Sequence, residues 1–213
     1  MGKRGLFITL EGPEGAGKST QCALLTAALR ARGHEVWATR EPGGTPLGEE
    51  LRRLIKHFGA PGSVSAEAEL LMFGASRAQL MREEIMPRLA SGTMVVCDRF
   101  ADSTTVYQGY ARGLDMRFIE AMHDLTLAGC WPDLTLLFDL EPETGFMRSY
   151  QRNGTTDPGD RIEAEPLDFH HAVRAGFLEL AARHADRIQC IHADAEPQAI
   201  HADVMEIVDR VLE

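Results

Sequence analysis

The residues best suited to chemistry stand near the start of the chain, where residues 12–19 read Gly-Pro-Glu-Gly-Ala-Gly-Lys-Ser. This is the pattern of a phosphate-binding loop: glycine, four residues, glycine, lysine, then serine or threonine. Glycines at three of these positions allow positive φ angles, so successive backbone N–H groups can turn toward phosphate oxygens. The residues that we expect to bind the phosphates of a nucleotide are Gly12, Pro13, Glu14, Gly15, Ala16, Gly17, Lys18, Ser19 and Thr20.

Two side chains of this loop have distinct expected roles. Lys18 supplies a positive charge for the β- and γ-phosphates, which makes it a candidate catalytic residue, and the hydroxyl of Ser19 stands where it would ligate Mg²⁺. The helix that begins here turns its positive end toward the same anion. A β-rich apolar run at 5–11 and helical spacing of apolar residues at 21–30 provide the strand–loop–helix context that the motif requires.

A second polar pair follows the apolar run Met94-Val-Val-Cys97. Asp98 comes directly after this predicted strand, where an acid near Mg²⁺ is expected, and Arg99 beside it can bind a phosphate in bidentate fashion. Asp139 ends another apolar run and competes with Asp98 for the metal role.

Other side chains suit a base and a sugar. Phe73 and Arg77 lie on one side of a helix predicted over 66–89, where ring and guanidinium could hold a base, although Phe73 alone would also suit the core. Residues 102–109 follow the third predicted strand at helix-like spacing, and they either contact sugar and base or solvate a helix surface. Their candidates are Ser103, Thr104, Tyr107 and Gln108.

Arginines mark two further segments. Arg40 and Glu41 end the second predicted strand and are either a surface ion pair or part of the nucleotide edge. A glycine- and proline-containing loop at 153–160 is flanked by Arg148, Arg152 and Arg161, which suits a mobile basic flap that excludes water during phosphoryl transfer. A solvated loop with unrelated arginines is the alternative interpretation.

Five β-like runs alternate with helical segments, at 6–10, 35–39, 93–97, 134–140 and 188–192. Apolar runs separated by helix-length crossovers predict a parallel sheet with helices on both faces. Because ligands gather at the carboxyl ends of such strands, the polar clusters above are expected to meet at one edge. The chain of 213 residues has no linker-like tract, so we predict an α/β fold in one domain, residues 1–213.

The amino-acid composition limits the classes of binding partner and the compartment that we expect. A net charge of −10 argues against a nucleic-acid partner, which would need many cations. No segment is long and apolar enough to predict a membrane span. The four cysteines make no C-x-x-C pair, and this favours free thiols in a reducing cytoplasm over disulfides or zinc.

Together these motifs resemble bacterial thymidylate kinases, within the P-loop nucleoside monophosphate kinases, over nearly the whole chain. Besides the phosphate loop, the resemblance is carried by Thr-Arg-Glu-Pro-Gly-Gly-Thr at 39–45, Phe-Gly-Ala-Ser-Arg at 73–77, Asp-Arg-Phe at 98–100, Ser-Thr-Thr-Val-Tyr-Gln-Gly at 103–109 and Asp-Arg-Ile-Glu at 160–163. The combination is far more restrictive than the loop alone. It implies a P-loop NTPase fold, a lid near 148–163, and transfer of the ATP γ-phosphoryl group to dTMP with Mg²⁺.

The resemblance also implies roles for individual residues. Phe73 stacks on thymine, Arg77 reads its O4, and Thr104 and Gln108 meet the other base edge. Tyr107 packs near the 2′ position of the sugar. Arg99 and Arg40 hold the acceptor phosphate, and Glu14 lies by the sugar or acceptor. Arg148 and Arg152 in the lid stabilise the transferring charge, Asp98 and Ser19 serve the metal, and two chains form a homodimer.

Three rival functions have discriminating features. A deoxynucleoside kinase phosphorylates a neutral 5′-hydroxyl and needs a carboxylate base, for which Glu41 or Asp98 can be argued. A GTP-dependent switch would carry an Asn-Lys-x-Asp motif, which this sequence lacks. A non-catalytic nucleotide-binding module would leave the arginines around the predicted lid without a role.

Overall fold

The computed structural model describes residues 4–59, 62–153 and 160–213, without the side chains of residues 152 and 153. Within these ranges five parallel strands form one sheet in the order β2-β3-β1-β4-β5. They are β1 (Phe7–Glu11), β2 (Val36–Arg40), β3 (Met94–Asp98), β4 (Leu134–Asp139) and β5 (Ile188–His192). Each lies within one residue of its predicted bounds, which confirms the parallel α/β sheet.

Helices connect the strands and cover both faces of the sheet. They are α1 (Lys18–Ala31), α2 (Pro46–His57), α3 (Ala66–Leu80), α4 (Met86–Ala90), α5 (Ala101–Thr104), α6 (Met116–Leu127), α7 (Pro142–Asn153), α8 (Leu167–Arg183) and α9 (Pro197–Leu212). A π-helical segment, Met81–Ile85, joins α3 to α4, and a second, Thr105–Ala111, continues α5. The predicted helix over 66–89 is therefore one helical stretch with a π segment inside it.

Alternation along the central strand divides the core into two halves. Ile8 and Leu10 point toward α1 and α9, whereas Phe7 faces the π segment 81–85 and its neighbours. A third apolar cluster joins β4 and α8 to the second π segment. Every residue of β1 is buried, as expected for a central parallel strand covered on both faces. Among the described helices, none combines the length and apolarity needed to cross a bilayer.

A buried histidine makes stability sensitive to acid. His123 on α6 is 2% exposed, and its Nε2 lies 3.0 Å from the Thr105 hydroxyl. Burial, with a smaller contribution from Arg77, lowers the pKa of His123 to about 3. An unfolded histidine titrates near its ordinary pKa, so the unfolded chain binds the extra proton first as pH falls below about 6.5. This group's contribution to stability is therefore complete above about pH 6.5 and is lost progressively toward pH 3.

We expect the free energy of unfolding to fall by about 2 kcal/mol between pH 7 and pH 5 because of His123 alone. Urea denaturation of the parent, His123→Phe and the exposed-site control His192→Gln, each at both pH values, measures this contribution. His123→Phe should lose most of that pH dependence, and the control should retain it. An equal fall in all three proteins would contradict the assignment.

Candidate functional site

The phosphate-loop motif forms a tight turn between β1 and α1. Gly12, Gly15 and Gly17 have φ angles of 137°, 74° and 83°, which confirms the positive values predicted for them. A Cβ atom on Gly15 would lie 2.3 Å from the carbonyl oxygen of Gly145, at the start of α7. The loop backbone therefore packs directly on the α7 backbone, and both positions require glycine.

The side chain of Lys18 lies against the backbone of the phosphate loop. The side chain is buried, and its Nζ donates to the Pro13 carbonyl over 2.7 Å. Burial, and secondarily the charge of Arg99, lower the pKa of Lys18 to about 8. A desolvated ammonium held by one carbonyl is prepared to interact with an incoming phosphate anion.

Arg99 lies beside the loop in a conformation that is unusual for a non-glycine residue. Its φ is 65°, and its Nη1 donates to the Gly12 carbonyl over 3.0 Å while its Nη2 donates to Glu14 over 3.1 Å. Non-glycine residues in this region carry backbone strain and are enriched at functional sites. The guanidinium is thus held between the phosphate loop and the ring of Tyr107, 5.3 Å from the ring centroid.

Ser19 and Asp98 form the oxygen pair expected at a magnesium site. The Ser19 hydroxyl donates to Asp98 Oδ2 over 2.5 Å, at the carboxyl edge of the sheet. Asp139, the competing candidate, is instead bound by Arg174 through a 2.7 Å contact and does not line the cavity. The described residues contain no group of three or more metal-binding side chains. One carboxylate and one hydroxyl suit Mg²⁺, which usually keeps waters and phosphate oxygens as its other ligands.

The polar clusters at the strand ends line one cavity of about 780 Å³. The phosphate loop from Glu14 to Thr20 forms part of its wall. The other predicted site residues that line it are Arg40, Phe73, Arg77, Asp98, Arg99, Thr104, Tyr107, Gln108 and Arg148. Gly12 and Pro13 do not line the cavity, and the Arg152 side chain falls outside the described part of the chain. The structure thus brings together residues that are far apart in sequence.

One end of the cavity is built around a buried ion pair. Arg77 is fully buried, and its Nη2 lies 2.8 Å from Glu41 Oε2 and 2.7 Å from the Thr104 hydroxyl. Its Nη1 is buried and has no hydrogen-bond partner in the described structure. Phe73 on the preceding turn of α3 is half-buried and also lines the cavity. An unused guanidinium donor next to an aromatic ring suits a planar, hydrogen-bonding ligand.

Tyr107 and Gln108 project from the second π segment toward the same space. Burial raises the pKa of Tyr107 to about 12, so the phenol stays neutral at physiological pH. Gln108 is 1% exposed, and its Nε2 donates to Glu69 over 2.7 Å. π-Helical segments are frequent at functional sites, and here one supplies two lining residues that an α-helix would place differently.

Of the two interpretations of Arg40 and Glu41, the surface ion pair between them does not form. Arg40 is exposed and pairs with Glu49 over 2.9 Å, whereas Glu41 turns inward to Arg77. Successive residues at a strand end point to opposite sides, so the two side chains diverge. Both still line the cavity.

The arginines around the predicted lid lie in different environments. Arg148 on α7 lines the cavity and donates to the Ala193 carbonyl and to Asp194, each over 2.9 Å. Arg161 is buried, donates to the Ile55 carbonyl and forms an ion pair with Glu69. Arg161 is thus held in the body of the protein. Residues 154–159 of the predicted lid lie outside the described residues, so the lid stays a prediction.

Several contributors were missed by the sequence reasoning. Glu11, at the end of β1, is fully buried and accepts hydrogen bonds from the Phe100 and Ser103 amides, which fixes the turn that carries Arg99. Burial, and then Asp102, raise the pKa of Glu11 to about 7. Residues 195–197 after β5 also line the cavity. This loop follows the carboxyl end of a strand, where ligands are expected to bind. Its amino-acid composition alone did not indicate a binding site.

Comparison with known proteins agrees with this geometry. The thymidylate kinase family model matches residues 10–204. Thymidylate kinase of Ruegeria pomeroyi is 47% identical over 98% of this chain and 96% of its own, and that of Maridesulfovibrio salexigens is 43% identical over 97% and 96%. A crystal structure of thymidylate kinase from Ehrlichia chaffeensis superposes with a TM-score of 0.78 at 32% identity, covering 96% of this chain and 99% of that one. The chain belongs to the thymidylate kinase family.

Proposed function

We propose that this chain transfers the γ-phosphoryl group of ATP to the 5′-phosphate of dTMP, giving dTDP and ADP. The observation that carries the proposal is that one shared cavity has a phosphate loop in one wall and the Phe73–Arg77 pair in another. Arg99 lies beside the loop with its guanidinium held toward Glu14. This arrangement of the loop, Arg99 and the Phe73–Arg77 pair suits a donor triphosphate and an acceptor monophosphate bound with their phosphates facing each other.

The residue assignments follow from this arrangement. ATP phosphates bind the loop from Gly12 to Thr20. Thymine stacks on Phe73 and accepts from Arg77, while Thr104 and Gln108 meet its other edge and Tyr107 contacts the sugar. The acceptor phosphate binds Arg99 and Arg40, near Glu14. The lid arginines Arg148 and Arg152 neutralise the transferring group.

Catalysis is expected to come from alignment and charge. The acceptor is already an anion at neutral pH, so little general-base assistance is needed. Lys18, Arg99 and the lid arginines neutralise the charge that spreads over the transferring oxygens. Ser19 and Asp98 would hold Mg²⁺, which would supply positive charge that offsets the charge of the donor phosphates.

Turnover of a nucleotide panel tests the activity. ADP release is followed with ATP·Mg²⁺ and, separately, dTMP, dUMP, dCMP, dGMP, dAMP and thymidine. We expect dTMP to give the highest kcat/KM and thymidine to give none. Preferential turnover of thymidine would establish the deoxynucleoside kinase instead, and release of ADP without any acceptor dependence would contradict both.

Replacement of Arg99 tests the acceptor-phosphate site. Arg99→Ala removes a charge from the transition state, and kcat should fall by about 10²–10³-fold with a smaller change in the KM for ATP. The control Arg52→Ala removes another arginine that lines the cavity, one that donates to the Pro42 carbonyl. Parent-like kcat in Arg99→Ala would exclude the assigned role.

We further propose that two chains form a homodimer through α3 and α6, and that the protein is cytoplasmic. These helices contact each other and expose Leu71, Phe118 and Leu125, at 55%, 52% and 75%. Large exposed apolar side chains of this kind mark interaction surfaces when they cluster. All four cysteines are free thiols, which supports a reducing compartment.

A charge on that surface should weaken the dimer. Leu125→Glu is expected to shift sedimentation from twice the mass of one chain to the mass of a single chain, because a buried carboxylate opposes association. Leu47→Glu, at an exposed apolar site on α2, is the matched control. A parent protein that sediments as a single chain at every concentration would refute the homodimer.

A further inference from the structure

Glu69, in the first turn of α3, is a buried carboxylate to which the proposed function gives no role. It has no exposed surface, and its polar partners come from two segments, residues 108–112 and Arg161. Gln108 Nε2 and Arg112 Nε each donate to its Oε1 over 2.7 Å, and Arg161 Nη2 lies 2.6 Å from its Oε2. A carboxylate without water persists only when such partners compensate its desolvation.

This cluster determines which way the amide of Gln108 faces. A carboxylate oxygen can only accept a hydrogen bond, so the amide must turn its nitrogen toward Glu69. The reverse orientation would place two acceptor oxygens 2.7 Å apart in a buried site. Gln108 lines the cavity. Its Nε2 uses one of two N–H groups on Glu69, and the acceptor that Gln108 keeps for the cavity is Oε1.

Arg77 contributes the opposite polarity to the same cavity. Its Nε and Nη2 are occupied by Glu41 and Thr104, and Nη1 is the buried donor without a partner in the described structure. Arg77 Nη1 and Gln108 Oε1 therefore form a pair of one donor and one acceptor in this cavity. Thymine and uracil present the complementary pair, an O4 acceptor next to an N3–H donor. Cytosine presents the reverse, a 4-amino donor next to an N3 acceptor.

We propose that Glu69 is a positioning residue that sets the preference of this cavity for a thymine-type base edge over a cytosine edge. It acts by holding the Gln108 amide with its oxygen toward the base, and it does not touch the nucleotide. The proposal rests on the proposed function, because it assumes that the nucleobase occupies the space between Arg77 and Gln108. A site that commits buried polar groups discriminates strongly, because the wrong base leaves them unpaired.

Glu69 also connects the second π segment, which carries Gln108, to other segments of the protein. Arg161 donates to the Ile55 carbonyl, and the amide of Arg161 donates to Lys56, so α2 and the chain after residue 159 meet at Glu69. Arg112 reaches Glu165 as well. Loss of Glu69 would disturb packing in addition to the Gln108 amide, so the test needs a readout that packing alone does not move.

The ratio of kcat/KM for dTMP to that for dCMP is such a readout. Glu69→Gln keeps the side-chain size but supplies an amide that both donates and accepts, so the Gln108 amide is free to turn over. We expect the dTMP-to-dCMP ratio to fall by about tenfold or more. The dTMP-to-dUMP ratio should stay constant, because both bases carry the same O4 and N3–H edge.

Two variants complete the design. Arg112→Gln disturbs the cluster while leaving Glu69 beside Gln108, and it should lower all three kcat/KM values by a common factor. In a Gln108→Leu background, Glu69→Gln should change the dTMP-to-dCMP ratio no further, because the group through which it acts is absent. If Glu69→Gln does not fold, Glu69→Asp, which withdraws the carboxylate by one methylene, should still lower the ratio severalfold.

A uniform loss with all three nucleotides in Glu69→Gln would overturn the positioning role. An additional fall of the ratio in the Gln108→Leu background would also overturn it. The parent enzyme tests the proposed function separately: if it does not prefer dTMP, the function itself is wrong. If it prefers dTMP and the ratio is unchanged in Glu69→Gln, only the role of Glu69 is wrong.

Discussion

Lys18→Ala is expected to lower kcat by about 10²–10⁴-fold, which corresponds to about 3–5 kcal/mol of transition-state stabilisation. The parent ammonium is buried at the start of α1 and is held by the Pro13 carbonyl 2.7 Å away. Alanine leaves the loop amides in place, so ATP should still bind with only a modest loss. The charge that spreads onto the γ-phosphoryl oxygens would then lack the cation that the phosphate loop supplies.

The measurement separates binding from chemistry. Coupled assays give kcat and KM, and calorimetry gives the dissociation constant for ATP·Mg²⁺. Lys56→Ala is the matched control, since Lys56 also lines the cavity but is paired with Asp160 over 2.6 Å. It should affect kcat far less. A fall in ATP affinity that accounts for the whole loss in Lys18→Ala would show that the lysine acts in binding alone.

Glu41→Ala should destabilise the protein by about 3–5 kcal/mol, because it leaves the Arg77 guanidinium buried without its counter-charge. Glu41 is 4% exposed and Arg77 is fully buried, with 2.9 Å between Arg77 Nε and Glu41 Oε2. Burial raises the pKa of the Glu41 carboxyl, and the charge and hydrogen bond of Arg77 oppose this rise. Each of the two buried charges therefore depends on the other for its stability.

Urea denaturation gives the free energy of unfolding for this comparison. The control is Glu49→Ala, which removes the exposed pair with Arg40 and should cost less than about 1 kcal/mol. The double variant Glu41→Ala/Arg77→Leu should be more stable than Glu41→Ala, since no unpaired charge remains. Equal losses in Glu41→Ala and Glu49→Ala would contradict this account.

Local patterns were sufficient for the phosphate loop and the sheet. The glycine spacing at 12–17 reflects backbone requirements within a few residues, and the φ angles match them. Apolar runs separated by helix-length segments predicted strands that agree within one residue. Membership of the thymidylate kinase family follows from motifs spread over the chain, which the family model matches from residue 10 to 204.

Local sequence patterns did not predict which side chains contact each other across the fold. Asp98 and Asp139 both end apolar strands, and they are distinguished by tertiary contacts: Ser19 lies opposite Asp98, whereas Arg174 pairs with Asp139. The inward turn of Glu41 requires Arg77, 36 positions later in the chain. Glu69 is one of two acidic residues in the first turn of a helix, and its burial depends on partners in two distant segments. Such roles follow from tertiary packing alone.

The close approach of Gly15 and Gly145 constrains how the far end of the site can rearrange. A Cβ on Gly145 would lie 2.3 Å from the Glu14 carbonyl oxygen, so the two backbones are already at the limit of contact. Moving α7 away as a rigid unit would break this contact, and moving it closer is prevented by the two backbones. The first turn of α7 is therefore held in a fixed position against the phosphate loop.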